Sequence, residues 1–357
     1  MTMIALVLHE ARVHAQLSLR ALSQLSGLDV GLLSKIENGQ RLPTEAQIEV
    51  LSRVLQLNQE VLRKKWLATQ VYNLISNEDD IQSIISDVET FYERSKNELQ
   101  SSFVPTPSFE SLLEEVTSLK ERWQAVKPLN ALQLKRMEEH FHTEYTYESN
   151  RIEGNTLTLQ ETFLVVSQGV TIGGKSMREH LEAINHAEAI VLLEELVQQQ
   201  TPFNRFTLLQ LHALILRNID RENAGRYRNV PVRISGSSHI PPDPWRLDAL
   251  MDEYFNNYAL LRKKVHPVIL AAEMHERLVS IHPFIDGNGR TSRLVMNLIL
   301  LQNGYTIANL KGDLNSRMSY YQALESVRTE NTKVPFYELV LQAVKLSLQE
   351  HLELAGE

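Results

Sequence analysis

Helix-forming patterns fill most of this chain, and their start and stop signals limit how it can fold. Apolar residues recur at three- and four-residue spacing, in segments separated by glycines, prolines and N-capping residues. The pattern therefore predicts an all-α protein. In the larger, C-terminal part we expect α-helices at about 109–127, 132–153, 158–168, 178–199, 207–218, 247–262, 267–282, 288–303 and 335–353.

One segment, 229–244, interrupts the helices. Its sequence "NVPVRISGSSHIPPDP" alternates β-branched residues around a Gly-Ser turn and continues with prolines that exclude a helix. It predicts a β-hairpin or extended flap.

Charge and composition divide the chain into two parts. Residues 1–70 hold eight Lys/Arg and six Asp/Glu, which gives a net charge of +2. Because the whole chain carries −8, the remaining residues carry a net charge of −10. A helical stretch at about 60–100 is followed by "SSFVPTPS", 101–108, whose prolines and serines predict a linker. We therefore expect three regions, namely a small domain at 1–60, a helical connector and linker at 61–108, and a second domain at 109–357.

The composition of the 357 residues also excludes several classes of protein. There is no cysteine, so disulfides, thiolate metal sites and cysteine nucleophiles are excluded. No apolar run approaches the roughly 20 residues of a membrane span, and the N-terminus lacks a signal-peptide pattern. We expect a cytoplasmic protein with no membrane partner. The net charge of −8 argues against a nucleic-acid coat.

Short helices follow one another closely in the first domain. Gly27 ends one helix, Asp29 is placed to N-cap the next, and Thr44 with Gln47 forms a capping-box pattern. Residues 17–57 resemble the Xre/lambda-repressor-like family, in which "GLDVGLLSKIENGQRLP" holds the turn, the recognition helix and the following loop. The resemblance implies a helix-turn-helix domain.

Two uses of this domain remain open from the sequence. DNA contact would fall to Ser34 and Lys35 on the recognition helix, and Lys35, Arg20 and Arg41 could contact phosphates. The neighbouring positions Val30 and Gly31, however, offer bases no side-chain hydrogen bond. The alternative is a protein-binding or dimerisation domain. In either case we expect a homodimer, with the helical stretch at about 60–100 as its contact.

The twelve residues "HPFIDGNGRTSR", 282–293, concentrate groups that do chemistry. The glycines lie where a loop meets a helix N-terminus, which favours anions, and Arg290 and Arg293 leave one face of that helix. Asp286 is suited to binding Mg²⁺ beside phosphates, and His282 to taking a proton near neutral pH. This combination predicts phosphoryl or nucleotidyl transfer, with an acceptor that these residues do not fix.

The same twelve residues match the Fic family motif at every defined position. The resemblance extends over about 109–350 and includes "AGRYR" at 224 and "SYYQALE" at 319. It implies the helical Fic fold with a β-hairpin flap. It also implies protein AMPylation, the transfer of AMP from ATP to a Ser, Thr or Tyr hydroxyl of a protein target.

The resemblance assigns roles to individual residues. His282 would deprotonate the target hydroxyl, Asp286 would hold Mg²⁺ on the α- and β-phosphates, and Arg293 would bind the γ-phosphate. Phe284 is expected to be a core anchor. The other residues implied to contact ATP are Gly287, Asn288, Gly289, Arg290, Tyr320 and Tyr321. The flap residues implied to align the target by main-chain pairing are Gly236, Ser237, Ser238 and His239.

A second motif lies in "YESNRIEGNTLTLQE". Glu153 falls on the last turn of a helix that Gly154 ends, where the helix dipole disfavours a carboxylate by about 0.3–1 kcal/mol. Such a carboxylate is better placed beside a cation. The stretch resembles the Fic inhibitory motif, with Ser149, Glu153 and Gly154 at the defined positions.

This second resemblance implies a self-inhibited enzyme. Within an inhibitory helix at 132–155, Glu153 would pair with Arg293 and prevent the γ-phosphate from binding productively. Two alternatives stay open: a de-AMPylase that uses Glu153, and a transcription regulator whose Fic domain senses nucleotide. The protein target, its type of hydroxyl and the choice of nucleotide are also open.

Overall fold

All regular structure in the computed structural model is helical, as the sequence pattern predicts. The structure describes residues 2–76, 78, 80–89, 106–126, 130–234, 237 and 239–356, and none of them lies in a β-strand. Within these ranges, no helix combines the length and the apolar character that crossing a membrane requires. The chain divides into two compact units, Met1–Lys96 and Asn97–Glu357.

The first unit consists of short helices around a small apolar core. Its helices are α1 (Met3–His14), α2 (Leu19–Ser26), α3 (Val30–Glu37), α4 (Glu45–Val54) and α5 (Gln59–Ile75), with further helical residues at 81–89. The predicted caps are present: Gly27 is left-handed, Asp29 accepts from the Leu32 N–H, and Thr44 and Gln47 form a capping box. The turn and recognition helix therefore form locally from the sequence.

The predicted helical stretch at about 60–100 is only partly continuous. It breaks at Ser76, beyond the end of α5, and resumes at 81–89. Residues 90–105 lie outside the described residues, and most of the predicted linker at 101–108 falls among them. The last two linker residues, Pro107 and Ser108, already belong to the next helix.

The second unit contains every helix predicted for it, to within a few residues. Its helices are α6 (Pro107–Val126), α7 (Ala131–Ile152), α8 (Leu159–Gln168), α9 (Met177–Gln198), α10 (Arg205–Ile215), α11 (Leu247–Leu261), α12 (Pro267–Ile281), α13 (Asn288–Gln302), α14 (Leu314–Thr329) and α15 (Val334–Ala355), with a 3₁₀ turn at Pro244–Arg246. One of these, α14, was not predicted. Its start signal is Asp313, whose carboxylate accepts from the Asn315 and Ser316 N–H groups.

Of the two alternatives predicted for 229–244, the β-hairpin is wrong for the residues described there, and a flap without strand pairing remains. Residues 229–234, 237 and 239–243 form no strand ladder, and a 3₁₀ turn begins at Pro244. Prolines remove donors that a ladder needs. Arg228 instead binds two carbonyls of the segment, those of Val230 and Pro242.

Two helices that are buried on nearly every face carry the 282–293 motif through the centre of this unit. Every residue of 294–300 on α13 is fully buried, and α12 is buried from Val268 to Glu276. A helix that is apolar on all sides must be surrounded by others. The loop between these two helices is therefore held on a rigid base.

Phe284 and His212 anchor that loop. Phe284 is buried, and its ring stacks on the His212 imidazole with centroids 3.6 Å apart. His212 lies 3.0 Å from the Asp286 carbonyl through Nε2, and its Nδ1 accepts from the Gly225 N–H at 3.0 Å. This pattern requires a neutral ring protonated on Nε2, and burial lowers the pKa of His212 to about 4.

The neutral His212 predicts a pH dependence of stability. Since its pKa is about 6.5 when unfolded and about 4 when folded, the unfolded chain takes up a proton first as the pH falls. Between pH 7 and pH 5 the free energy of unfolding should drop by about 2 kcal/mol more in the wild type than in His212→Gln. Gln keeps a donor and an acceptor but does not titrate. Urea unfolding at both pH values measures the difference, and parallel losses would contradict it.

Candidate active site

His282 ends α12 in a left-handed conformation, with a φ of 50°. That conformation is uncommon for a residue other than glycine. It is held by the His282 N–H, which donates to the Leu278 carbonyl at 2.9 Å, and by the His282 carbonyl, which accepts from Arg228 Nε at 2.9 Å. The side chain is thereby turned out of the helix at the mouth of the loop.

The surroundings of His282 keep it neutral. Its ring is half-buried with Nδ1 inside, and burial lowers the pKa of His282 to about 4, although the Glu153 carboxylate acts in the opposite direction. A neutral imidazole retains a lone pair at pH 7, which a proton acceptor needs.

Arg228 was not identified from the sequence, although it lies in the "AGRYR" stretch. Arg228 is 3% exposed, and its guanidinium donates to the carbonyls of His282, Val230 and Pro242. Its own N–H donates to the Pro283 carbonyl at 2.9 Å. One buried cation therefore joins both ends of the 229–244 segment to the loop that carries His282.

The N-terminus of α13 is shaped by glycines and by Asn288. Gly287 is left-handed, with a φ of 76°, and a Cβ there would lie 3.1 Å from Ile215 Cγ2. The Asn288 side chain accepts from the Phe284 N–H and donates to the Phe284 carbonyl, which closes the loop. Because the Asn288 side-chain amide is used in these bonds, an anion would bind to the backbone N–H groups of 287–290.

Asp286 is an ionised carboxylate at the edge of this loop. Its oxygens accept from the Gly287 N–H, from Arg290 at 3.3 Å and from Arg178. Burial acts to raise the pKa of Asp286, but Arg290, Gly287 and Arg178 lower it overall. With 40% of its side chain exposed, Asp286 fits a Mg²⁺ site of one carboxylate completed by phosphate oxygens and water.

Arg178 and Glu182 are further residues that the motifs did not point to. They lie one turn apart on α9, with Arg178 Nε 3.1 Å from Glu182 Oε1. The same Glu182 oxygen lies 3.3 Å from the buried Arg290. Their four-residue spacing was a signal of an ion pair, but nothing in the sequence placed that pair against Asp286.

The structure brings Glu153 to Arg293. Glu153 Oε1 accepts from Arg293 Nη2 at 2.7 Å. Ser149 completes the contact, because its hydroxyl accepts from Arg293 Nε at 3.0 Å and its carbonyl from Nη2 at 2.8 Å. Arg293 is fully buried, and although burial alone would lower its pKa, the Glu153 carboxylate raises it overall.

The Glu153 carboxylate also lies against the first turn of α13. A Cβ on Gly289 would come within 2.2 Å of Glu153 Oε1, so only glycine allows this approach. Because a helix N-terminus attracts anions, the carboxylate lies where its charge is favoured. Glu153 thus fills part of the anion site predicted from the motif.

The two tyrosines of α14 play different parts. Tyr320 is buried, its hydroxyl lies 3.1 Å from His275 Nε2, and burial raises the pKa of Tyr320 to about 12. Tyr321 is 43% exposed and donates to the Ile152 carbonyl at 3.1 Å. Tyr321 therefore fixes the end of α7, one residue before Glu153.

Two of the four predicted flap residues are described. Ser237 Oγ lies 3.1 Å from Glu325 Oε2, and His239 Nε2 lies 2.7 Å from the Ser280 carbonyl. Both contacts tie the segment to helices beside the loop. Gly236 and Ser238 lie outside the described residues.

In the first unit, the residues expected to contact DNA lie at or near the surface. Arg20, Lys35 and Arg41 are exposed, and Ser34 is partly buried. By contrast, Arg12 pairs with the buried Glu37 at 2.7 Å and joins α1 to α3.

Comparison with known proteins identifies both parts of the chain. Residues 202–300 match the Fic/DOC family, and residues 4–66 match a helix-turn-helix domain. The protein adenylyltransferase Fic of Nematostella vectensis is 31% identical over 246 residues, which are 68% of this chain and 56% of that protein. The protein of the same name from Drosophila grimshawi is 33% identical over 241 residues, 66% of this chain and 49% of that protein.

This chain therefore spans about half the length of the curated relatives that it matches. Among solved structures, a Fic-domain-containing signaling protein from Bacteroides thetaiotaomicron superposes with a TM-score of 0.62 at 28% identity, covering 68% of this chain and 97% of that one. The chain thus carries a Fic/DOC family domain at residues 202–300 and a helix-turn-helix domain at residues 4–66.

Proposed function

We propose that this protein is an adenylyltransferase that moves AMP from ATP to a Ser, Thr or Tyr hydroxyl of a protein and is inhibited by its own Glu153. The observation that carries the proposal is the Glu153 carboxylate, which binds Arg293 and lies against Gly289 at the N-terminus of α13. Because a carboxylate of the chain itself binds there, the surrounding groups are suited to an anion such as phosphate. The adenylyltransferases similar to this chain support the chemistry.

In the proposed reaction, His282 accepts the proton of the target hydroxyl. Because Nδ1 is buried, Nε2 is the nitrogen that can face the substrate. The hydroxyl oxygen forms a bond to the α-phosphorus of ATP, the bond from that phosphorus to the bridging oxygen breaks, and pyrophosphate leaves. The backbone N–H groups of 287–290 and the two motif arginines stabilise the charge on the phosphates.

Mg²⁺ fits this scheme at Asp286. The carboxylate would hold the ion together with phosphate oxygens, and the ion would neutralise part of the phosphate charge. Arg178, which now binds Asp286, would have to give way to it.

Inhibition follows from competition for one cation. Arg293 is buried and binds Glu153 through Nη2, so the carboxylate occupies the place beside this cation that a γ-phosphate would take. Within the described residues Arg293 Nη1 has no hydrogen-bond partner, but Glu153 Oε1 lies against the same Gly289 and keeps a second anion away from it. ATP can bind productively only when Glu153 withdraws.

Removing the Glu153 carboxylate should activate the enzyme. We expect Glu153→Gly to raise self-labelling from α-labelled ATP by at least about tenfold, which corresponds to removing roughly 1.4 kcal/mol of competition. Adding His282→Ala should abolish the signal. Autoradiography or intact-mass spectrometry measures both.

The matched control for this variant is Glu330→Gly. Glu330 is also the C-cap residue of a helix, α14, but it is exposed and lies outside the candidate site. It tests whether glycine at a helix end activates by itself. If Glu153→Gly labels no better than wild type or Glu330→Gly, the inhibitory role of Glu153 is wrong.

Arg228 offers a separate test of how His282 is positioned. In the Glu153→Gly background, Arg228→Lys should lower the labelling rate about tenfold or more, because the single nitrogen of a lysine cannot match three carbonyls that three separate guanidinium nitrogens bind. The affinity for ATP, measured by calorimetry, should change little. An equal loss of ATP affinity would instead show that Arg228 shapes the nucleotide site.

A second function, DNA binding by the first unit, is supported by the exposed Arg20, Lys35 and Arg41 around the recognition helix α3. Binding to phosphates makes affinity depend on salt. Replacing Lys35 or Arg41 by Ala should reduce the slope of log affinity against log salt by about 0.9 for each phosphate that the protein no longer neutralises. Fluorescence anisotropy with promoter DNA measures this slope.

Lys64→Ala is the control for the DNA experiment. Lys64 is an exposed cation on α5 that pairs with Glu60, away from the recognition helix. An unchanged slope in the Lys35 and Arg41 variants, or no binding by the wild type, would favour protein binding or dimerisation as the use of this domain.

A further inference from the structure

Away from the candidate active site, α7 carries a second cluster of charged side chains. His140 and Glu144 lie one turn apart on α7, and Glu350 projects from α15. One ligand atom from each of the three lies within 4.8 Å of the others. We propose that these three residues bind a zinc ion that bridges α7 and α15.

The geometry is close to that of a zinc site. His140 Nε2 lies 3.3 Å from Glu350 Oε1. Ligand bonds of 2.0–2.2 Å in a tetrahedral site place neighbouring ligand atoms about 3.3–3.5 Å apart. These two atoms already have that separation, and a ligand atom of Glu144 lies within 4.8 Å of both.

The donor set selects the class of metal. One imidazole and two carboxylates suit Zn²⁺ and similar transition ions, whereas Mg²⁺ and Ca²⁺ prefer sites made of oxygen alone. The His140 and Glu350 side chains are 50% and 44% exposed, so an ion can enter and a water can complete a tetrahedral set.

Lys311 is a charged side chain beside this cluster. It binds Glu144, whose side chain is 19% exposed. Ligating carboxylates in metal sites commonly have such an outer partner, which fixes their orientation. Two carboxylates and one lysine leave a net charge of −1, which attracts a cation.

A zinc ion here would act on the helix that ends at Glu153. Glu144 precedes Glu153 by nine residues, about 13.5 Å along a helix. A zinc ion that joins α7 to α15 would therefore fix the helix whose C-terminal end carries the inhibitory Glu153 carboxylate. This consequence rests on the proposed function, but zinc binding itself does not.

Zinc titration calorimetry on the full chain tests the site in the absence of nucleotide. Every variant carries His282→Ala and Asp286→Asn, which removes the motif loop as a competing zinc site. We expect His140→Ala and Glu350→Gln to lose one equivalent of zinc, or to bind it at least about tenfold more weakly. His9→Ala is the control, since His9 lies 2.9 Å from the Glu37 carboxylate, but Arg12 shares that carboxylate and no further metal-ligating side chain joins them in the described residues.

Hydrogen exchange provides a second readout. In the protein that carries only His282→Ala and Asp286→Asn, which is the parent of the other variants, zinc should slow amide exchange across 131–152. Adding Glu350→Gln should remove this effect. If the His140 and Glu350 variants bind zinc as the parent does, the site is wrong. If zinc binds without protecting α7, the bridge between the helices is wrong. Neither result depends on adenylyl transfer.

Discussion

Arg293 is a fully buried cation, and the structure around it depends on the anion that neutralises it. A guanidinium removed from water loses several kcal/mol of hydration, which only a close anion and satisfied hydrogen bonds restore. In this structure Glu153 supplies the anion and Ser149 two further acceptors. A phosphate could supply the same charge. In the proposed function, inhibition and catalysis would therefore depend on one buried charge that two anions can satisfy.

The sequence was most informative where local physics decides the structure. Caps and apolar spacing located all helices of the second unit except α14, whose N-cap Asp313 was overlooked. The motif indicated that Arg290 and Arg293 share a helix face. Partners that lie far apart in sequence had no such signal. Arg228 reaches His282 across 54 residues and Arg178 reaches Asp286 across 108, and only the packing of helices brings them together.

The 229–244 segment illustrates the same limit. Its alternation of β-branched residues satisfied the pattern for a hairpin, but such a pattern describes side chains and not backbone partners. In the structure the carbonyls of Val230 and Pro242 bind Arg228. The buried Arg228 thus holds the two ends of the segment together, as the hydrogen bonds of a strand ladder would have done. The segment keeps its fixed ends beside His282, although its described residues before Pro244 form no helix or strand.

The proposed inhibition could end in two ways, by departure of α7 or by rotation of the Glu153 side chain. Departure of α7 would expose Ile152 and Tyr145, both at least 98% buried, and break the hydrogen bond from the Gly312 N–H to Glu148. Glu153, by comparison, has 34% of its side chain exposed and lies at the helix end. Rotating this one side chain exposes no core residue, and the incoming phosphate replaces the anion that Arg293 loses, so it costs far less than moving the helix. Since Ser149 keeps its hydrogen bonds to Arg293 after such a rotation, the cation stays in place for the incoming phosphate.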